Sequence, residues 1–324
     1  MSFKEYLLNS RPYTALSPLI DEFNFQADKN YLFDLSYLTS ITVTGERSAE
    51  FLQGQLSCDI RKVTADRMQQ GVMCNLKGRI LALLDVINWH HLQLVIPADL
   101  LTETKASLMK TSLLSRVQLE TSTYRMYGLY VNNQSDLLPE NLQLPSECFA
   151  VTHTDEQCCY QLSDNFYLIL TTKEASSSLS LPFIAVQQMR GSLAWHQLQL
   201  QQKQIYIYPE TRGLFLPHRL DLHLSGYLSF DKGCYKGQEI IARTHYKAKL
   251  KHGLRLFTIH TAEPLLAGKR IFTSSGEIEI GELIDFSPLA DGRYLIAASI
   301  LFEHPDEILF EDSKHPVILL PCNI

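Results

Sequence analysis

The chain has no run of about 18 consecutive apolar residues, so no segment is long enough to cross a bilayer as a helix. Its first residues, "MSFKEYLLNSRPYTALSPL", place charge and proline where a signal peptide needs an unbroken apolar stretch. A protein that is not exported, residing in the cytoplasm, is therefore expected. An excess of positive charge is missing too. The net charge of −6 argues against a protein that coats nucleic acid non-specifically, because such binding rests on many Lys and Arg facing phosphates. Cysteines are neither dense nor even in number: Cys58, Cys74, Cys148, Cys158, Cys159, Cys234 and Cys322 are scattered. That is not the disulfide framework of a small secreted scaffold, and reduced thiols are expected. No CxxC pair accompanies Cys234, which argues against a four-ligand zinc or iron-sulfur site built within the chain, and no metal ligand is assigned. Walker and dinucleotide glycine loops, a Gly-x-Ser-x-Gly elbow, a His-Glu-x-x-His helix and internal repeats are also missing.

What is present is 324 residues, 45% of them hydrophobic, enough for two or three domains with cores that need no staples. "SITVTG" (40–45) alternates as a strand, and in "ERSAEFLQGQL" the spacing puts Ala49, Leu52 and Leu56 on one helix face. "GRILALLDVINW" (78–89) reads as a strand buried on both faces. "HLQLVIP" (91–97) alternates, with His90 and His91 at a hairpin. A helix with Leu101, Thr104 and Leu108 on one face follows, and strand character returns through "SRVQLE" and "YRMYGLYV". That order, around 38–130, is the split βαβ, ferredoxin-like arrangement of an α+β protein. "CCYQLSDNFYLILTT" (158–172) predicts a hairpin turning at Ser163-Asp164-Asn165, with Cys158 and Cys159 on opposite faces as packing residues. A helix is expected around 183–195, then a long irregular stretch, 201–239, of the kind that carries function. From about 250, short strands separated by glycine turns suggest a small barrel or sandwich. The boundary is placed near 245–252, giving units 1–245 and 246–324.

The richest stretch for chemistry is "KGCYKGQE" (232–239). Cys234 stands between Lys232 and Lys236 on a segment that Gly233 and Gly237 allow to bend, an environment that favours the thiolate. A packed structural cysteine is the plainer alternative. Gln238 and Glu239 could hold a polar ring, or Glu239 could simply be an acid in a helix's first turn. Between 240 and 262 there are Arg243, Lys247, Lys249, Lys251 and Arg255 and no acid, which marks an anion-binding strip or a solvated face. "CNLKGRI" (74–80) presents Lys77 and Arg79 on a loop before a buried strand.

Together, "LFDLSYLTSITVTGERSAEFLQGQLSCDI" (32–60), "CNLKGRILALL" (74–84), "FLPHRLDL" (215–222), "GYLSFDKGCYKGQEIIAR" (226–243) and "GEIEIGELIDFSP" (276–288) resemble the YgfZ family of folate-binding proteins. These are relatives of the glycine cleavage T-protein, an aminomethyltransferase. The resemblance implies a T-protein-like fold: two ferredoxin-like halves, the second about 1–35 plus 120–200, and a C-terminal β-barrel around a central folate-binding opening. It implies tetrahydrofolate or a derivative as ligand, and a role in iron-sulfur cluster assembly or repair and thereby in tRNA thiomethylation. Partners would be iron-sulfur client enzymes, such as one that thiomethylates tRNA, with transient cluster contact.

Carried onto this chain, the resemblance makes Cys234 the reactive or ligand thiol with Lys232 beside it. It assigns folate contacts to Tyr235, Gln238, Glu239, Arg243, Lys77, Arg79, Arg190 and Trp195. Two segments depart from the family pattern: Asp221 replaces an asparagine, and "GSLA" (191–194) replaces "AGIP", with Arg190 just before it where relatives have a glutamate. The carboxylates that position folate in true aminomethyltransferases are absent from Ile80, Leu81, Ala82, Leu83 and Leu84. Aminomethyl transfer is therefore not the expected reaction. A one-carbon transferase using Asp85 or Asp221, and a module that contacts tRNA through Arg243, Lys247, Lys249 and Lys251, are the alternatives.

Overall fold

The computed structural model describes residues 4–322. A hairpin of Lys4–Leu8 and Arg11–Ala15 leads into the short helix α1 (Leu19–Glu22). The buried Glu22 carboxylate accepts from the N–H groups of Leu16, Ser17 and Gly191, at 2.6–3.1 Å, which ties this entry segment to the middle of the chain.

The first unit is a five-stranded antiparallel sheet in the order Gln69–Cys74, Ile80–Trp89, His91–Pro97, Leu38–Thr44, Gln118–Thr121. Helices α2 (Ser48–Gln55) and α3 (Leu101–Ser115) complete it. Without its edge strand Gln69–Cys74, which the sequence pattern did not reveal, it has the ferredoxin-like order. Strand Ile80–Trp89 is buried at every position but Asn88, as its unbroken apolar run predicts. His90 turns the hairpin with φ 58°. In α3 Thr104 and Leu108 face inward as expected. In α2 Leu52 faces inward as expected and Leu56 is buried just past the helix end, but Ser48 and Phe51 join them and Ala49 is exposed.

The second unit is a six-stranded sheet in the order Val151–His153, Gln157–Ser163, Phe166–Thr171, Arg125–Tyr130, Tyr31–Asp34, Met189–Arg190. Strand Arg125–Tyr130, read from the sequence as the end of the first half, belongs here. Asp164 and Asn165 turn the hairpin, and Cys158 and Cys159 enter different core clusters, one from each face of their strand. The helix expected around 183–195 is two helices, α4 (Lys173–Ala185) and α5 (Ser192–Gln201). Gln187 takes a left-handed φ of 59°, and Met189–Arg190 then pairs in parallel with Leu32 and Phe33. Every residue of α5 from Ser192 to Leu200 is buried, so it has no polar face whose period could mark it in the sequence.

Helix α6 (Gln238–Lys247) precedes the last unit, whose first strand starts at His252. Its seven strands run Val317–Ile318, Glu307–Phe310, Arg270–Thr273, Glu279–Pro288, Tyr294–Leu301, His252–Ile259, Leu320–Pro321. The two outermost strands are consecutive in the chain, separated only by Leu319, so a single residue joins the two edges and nearly closes the barrel. Closure removes edges that would otherwise offer unpaired backbone groups. No helix among the described residues is long and apolar enough to cross a membrane.

Candidate functional site around Cys234

The residues 232–237 form the C-terminal cap of α2. A helix leaves its last carbonyls without partners and carries partial negative charge there. The Lys232 ammonium donates to the carbonyls of Gln53, Leu56 and Cys58 at 2.6–2.8 Å, and the Lys236 N–H donates to that of Gly54 at 3.1 Å. Lys232 is only 7% exposed and lies 4.9 Å from the centre of the Tyr235 ring. Burial lowers its pKa from 10.5 to about 8. The charge expected beside the Cys234 thiol is thus spent on backbone oxygens, and Lys232 acts as an anchor.

Gly237 shows why glycine is needed in this stretch. It has φ 86°, and a Cβ there would lie 2.5 Å from the Asn75 carbonyl oxygen and 3.0 Å from the Gly78 Cα. The turn carrying Lys77 is therefore pressed backbone to backbone against the start of α6, joining two segments more than 150 residues apart in the chain. Gly233 has open space around it. The result is a fixed platform of buried Lys232, Tyr235 and Gly237 from which Cys234 is exposed. Cys58, Cys74, Cys158 and Cys159 are buried, and burial raises the thiols of Cys58, Cys74 and Cys158 to about 12; Cys148 is the other exposed one.

The other sequence candidates divide into three places. Tyr235 is a core residue whose buried hydroxyl has no partner, and Glu239 is an exposed acid in the first turn of α6, as its plainer reading had it. Gln238 is half-buried, Arg243 and Lys77 are exposed, and Arg79 donates to the Leu214 carbonyl. Trp195 is fully buried against Phe33 and Phe166, with ring centres 5.3 and 5.5 Å away, and presents no open face. Arg190 lies on the second unit with its guanidinium 4.8 Å from the Tyr31 ring.

Asp221, the departure from asparagine, has φ 53° and accepts from the Leu254 N–H at 3.0 Å. Asn and Asp share tolerance of that backbone and an acceptor oxygen, so the exchange keeps the link to the barrel. Asp85 is completely buried, accepting from Gln70 Nε2 at 3.0 Å and from the Tyr160 hydroxyl at 2.9 Å, and burial raises its pKa to about 6.

A folate needs space, and ligand pockets of this kind start at roughly 300 Å³. The cavity where the two sheets meet, between Asp85, Gln70, Gln199, Tyr206 and Tyr227, holds about 10 Å³, one water's worth. A pterin does not fit there. A groove of about 950 Å³ opens instead between the α4–α5 connection and the 16–31 segment, walled by Tyr31, Gln188 and Arg190. The Arg190 Nε is buried there without a partner. By volume and by that unpaired donor, the groove fits a folate-sized ligand. None of residues 232–239 lines either space.

No family model matches the chain. Among curated proteins, it is 25% identical over 304 residues to the tRNA-modifying protein YgfZ of Colwellia psychrerythraea, covering 90% of this chain and 89% of that one. It is 24% identical to the protein of the same name from Vibrio atlanticus, over 75% of this chain and 74% of that one. An Escherichia coli protein of that name is 25% identical, over 79% and 80%. Among solved structures, the glycine cleavage system aminomethyltransferase T from Bartonella henselae superposes with a TM-score of 0.69 at 15% identity, over 99% of this chain and 93% of that one. The chain therefore has the fold of the glycine cleavage T-protein and is a homologue of the proteins named tRNA-modifying protein YgfZ.

Proposed function

We propose that this protein serves tRNA modification by supporting an iron-sulfur enzyme, with Cys234 as the working thiol. The observation that carries the reading is the contrast at the site: an exposed sulfur on a loop whose Lys232, Tyr235 and Gly237 are all buried. A cysteine kept for packing would be covered. A thiolate is the form that coordinates iron, and a fixed exposed one can meet a client's cluster without entering a cavity. The names of the relatives support the tRNA link, and the T-protein fold supports a folate ligand. That folate is assigned to the groove at Arg190, where it would face the guanidinium and the Tyr31 ring.

In a strain deleted for the chromosomal copy, Cys234→Ser is expected to abolish recovery of tRNA thiomethylation while Cys148→Ser, at the other exposed thiol, restores it. Full recovery with Cys234→Ser would end the reading. In a fluorescence titration with 5-formyltetrahydrofolate, Arg190→Ala is expected to weaken binding about tenfold or more, in the range for loss of a hydrogen bond to a charged group. Unchanged affinity would remove folate from the groove. The one-carbon transferase alternative finds no support in its two candidate acids, since Asp85 is enclosed and Asp221 is tied to the barrel.

A further inference from the structure

The acid-free stretch after the Cys234 loop becomes a surface in the fold. Arg243, Lys247, Lys249 and Lys251 are all exposed, and none of them forms an ion pair among the described residues. In a chain of net charge −6, so many unpaired cations within nine residues make a local exception. Aromatic rings are interleaved with them. His245 stacks on Phe230 with ring centres 3.8 Å apart and planes 20° from parallel, and Tyr246 stands edge-on to His245 at 4.8 Å. Tyr246 is 69% exposed, with its ring also edge-on to Phe230 at 6.0 Å, so its outer face is open to a partner. Behind the stack, the His218 ring is buried with neither nitrogen partnered, 5.9 Å from His245.

Cations alone would suit any polyanion, including an acidic protein surface. Flat rings between cations favour a partner that brings both phosphates and unpaired bases, since base stacking on aromatics is tolerant of sequence. We propose that the C-terminal half of α6 and the segment up to Lys251 form a docking surface for single-stranded RNA, with Tyr246 and the Phe230–His245 stack taking bases and Arg243, Lys247, Lys249 and Lys251 taking phosphates. This deepens the tRNA reading above and rests on it. It places the RNA on the helix that begins four residues after Cys234.

The test measures fluorescence anisotropy of a labelled oligouridylate, an RNA duplex of equal length and polyglutamate with the full chain. Single-stranded RNA is expected to bind more tightly than the duplex, and polyglutamate weakly. Replacing Lys247, Lys249 and Lys251 by Gln should reduce the slope of log affinity against log salt by about 2, at roughly 0.7 per phosphate contact. Tyr246→Ala should weaken binding roughly 5- to 100-fold, with Tyr246→Phe restoring it. The replaced residues are exposed, and an unchanged thermal melt confirms folding of each variant. No binding at low salt, equal binding of the duplex, or tight polyglutamate binding indifferent to Tyr246 would each overturn the proposal, the last by assigning the surface to an acidic protein. If RNA does not bind while Cys234 is still required for thiomethylation, only the surface is lost. If RNA binds and Cys234→Ser is fully active, the functional reading fails instead.

Discussion

Asp85 is held wholly out of water between the Gln70 amide and the Tyr160 hydroxyl, and the two hydrogen bonds do not offset the loss of solvation, so its pKa rises from 3.8 to about 6. For an acid with a raised folded-state pKa, the stabilising contribution is complete below pH 3.8 and is lost as pH climbs through 6. Asp85→Asn should therefore flatten stability between about pH 4 and 7 and leave the variant up to about 3 kcal/mol more stable at neutral pH. Urea unfolding across that range measures it, and a variant with the same pH slope as the parent would contradict the assignment. Lys232 illustrates the opposite case. Its neighbours in sequence suggested a charge for the thiol, and its neighbours in space are three carbonyl oxygens contributed by residues 53–58.

At the scale of elements, the joint between α2, the 74–80 turn and the start of α6 decides the shape of the site. Gly237 combines a left-handed backbone with the closest approach in that joint, whereas Gly233 has nothing within 4 Å of its missing side chain. Gly237→Ala is expected to cost about 2 kcal/mol or more and to impair Cys234-dependent activity, because both backbone strain and the Asn75 carbonyl oppose a methyl group. Gly233→Ala should stay within about 0.5 kcal/mol of the parent. Thermal unfolding of the pair decides between a loop that is flexible throughout and one that is fixed at a single point. Two glycines that look equivalent in "KGCYKG" are thus unlike in the fold. The buried strand 80–89 and the helix 101–115 were legible because their apolar patterns are long. The helix 192–201 was not, because burial on all sides leaves no period to read.

For the whole molecule, the barrel is nearly closed by the residues at 317–321, whose two short strands reach opposite edges of the sheet. Leu319 between them is 2% exposed and shares its core cluster with Phe257, Ile300 and Ile308. Leu319→Ala should lower stability by about 2–5 kcal/mol, the range for a buried leucine, and should expose the edge at Phe257 and Thr258 to hydrogen exchange. Exchange protection at that edge unchanged from the parent would show that the sheet does not depend on this junction. The same core cluster draws residues from both the second sheet and the barrel, including Trp195 of α5. A side chain expected at a ligand is for this reason a packing element between layers.

The sequence by itself determined the elements with strong local pattern, the two chemical segments "CNLKGRI" and "KGCYKGQE", and the resemblance that the comparisons then bore out. Spacing and composition are local, and these features are local as well. Only the tertiary structure decided that the two segments meet at Gly78 and Gly237, that the Lys232 charge belongs to the end of α2, and that Asp85 is enclosed while Arg190 faces open space. Each of those outcomes depends on which distant backbone or side chain arrives beside a residue. Burial and electrostatics are set by such neighbours, and no short-range pattern encodes them.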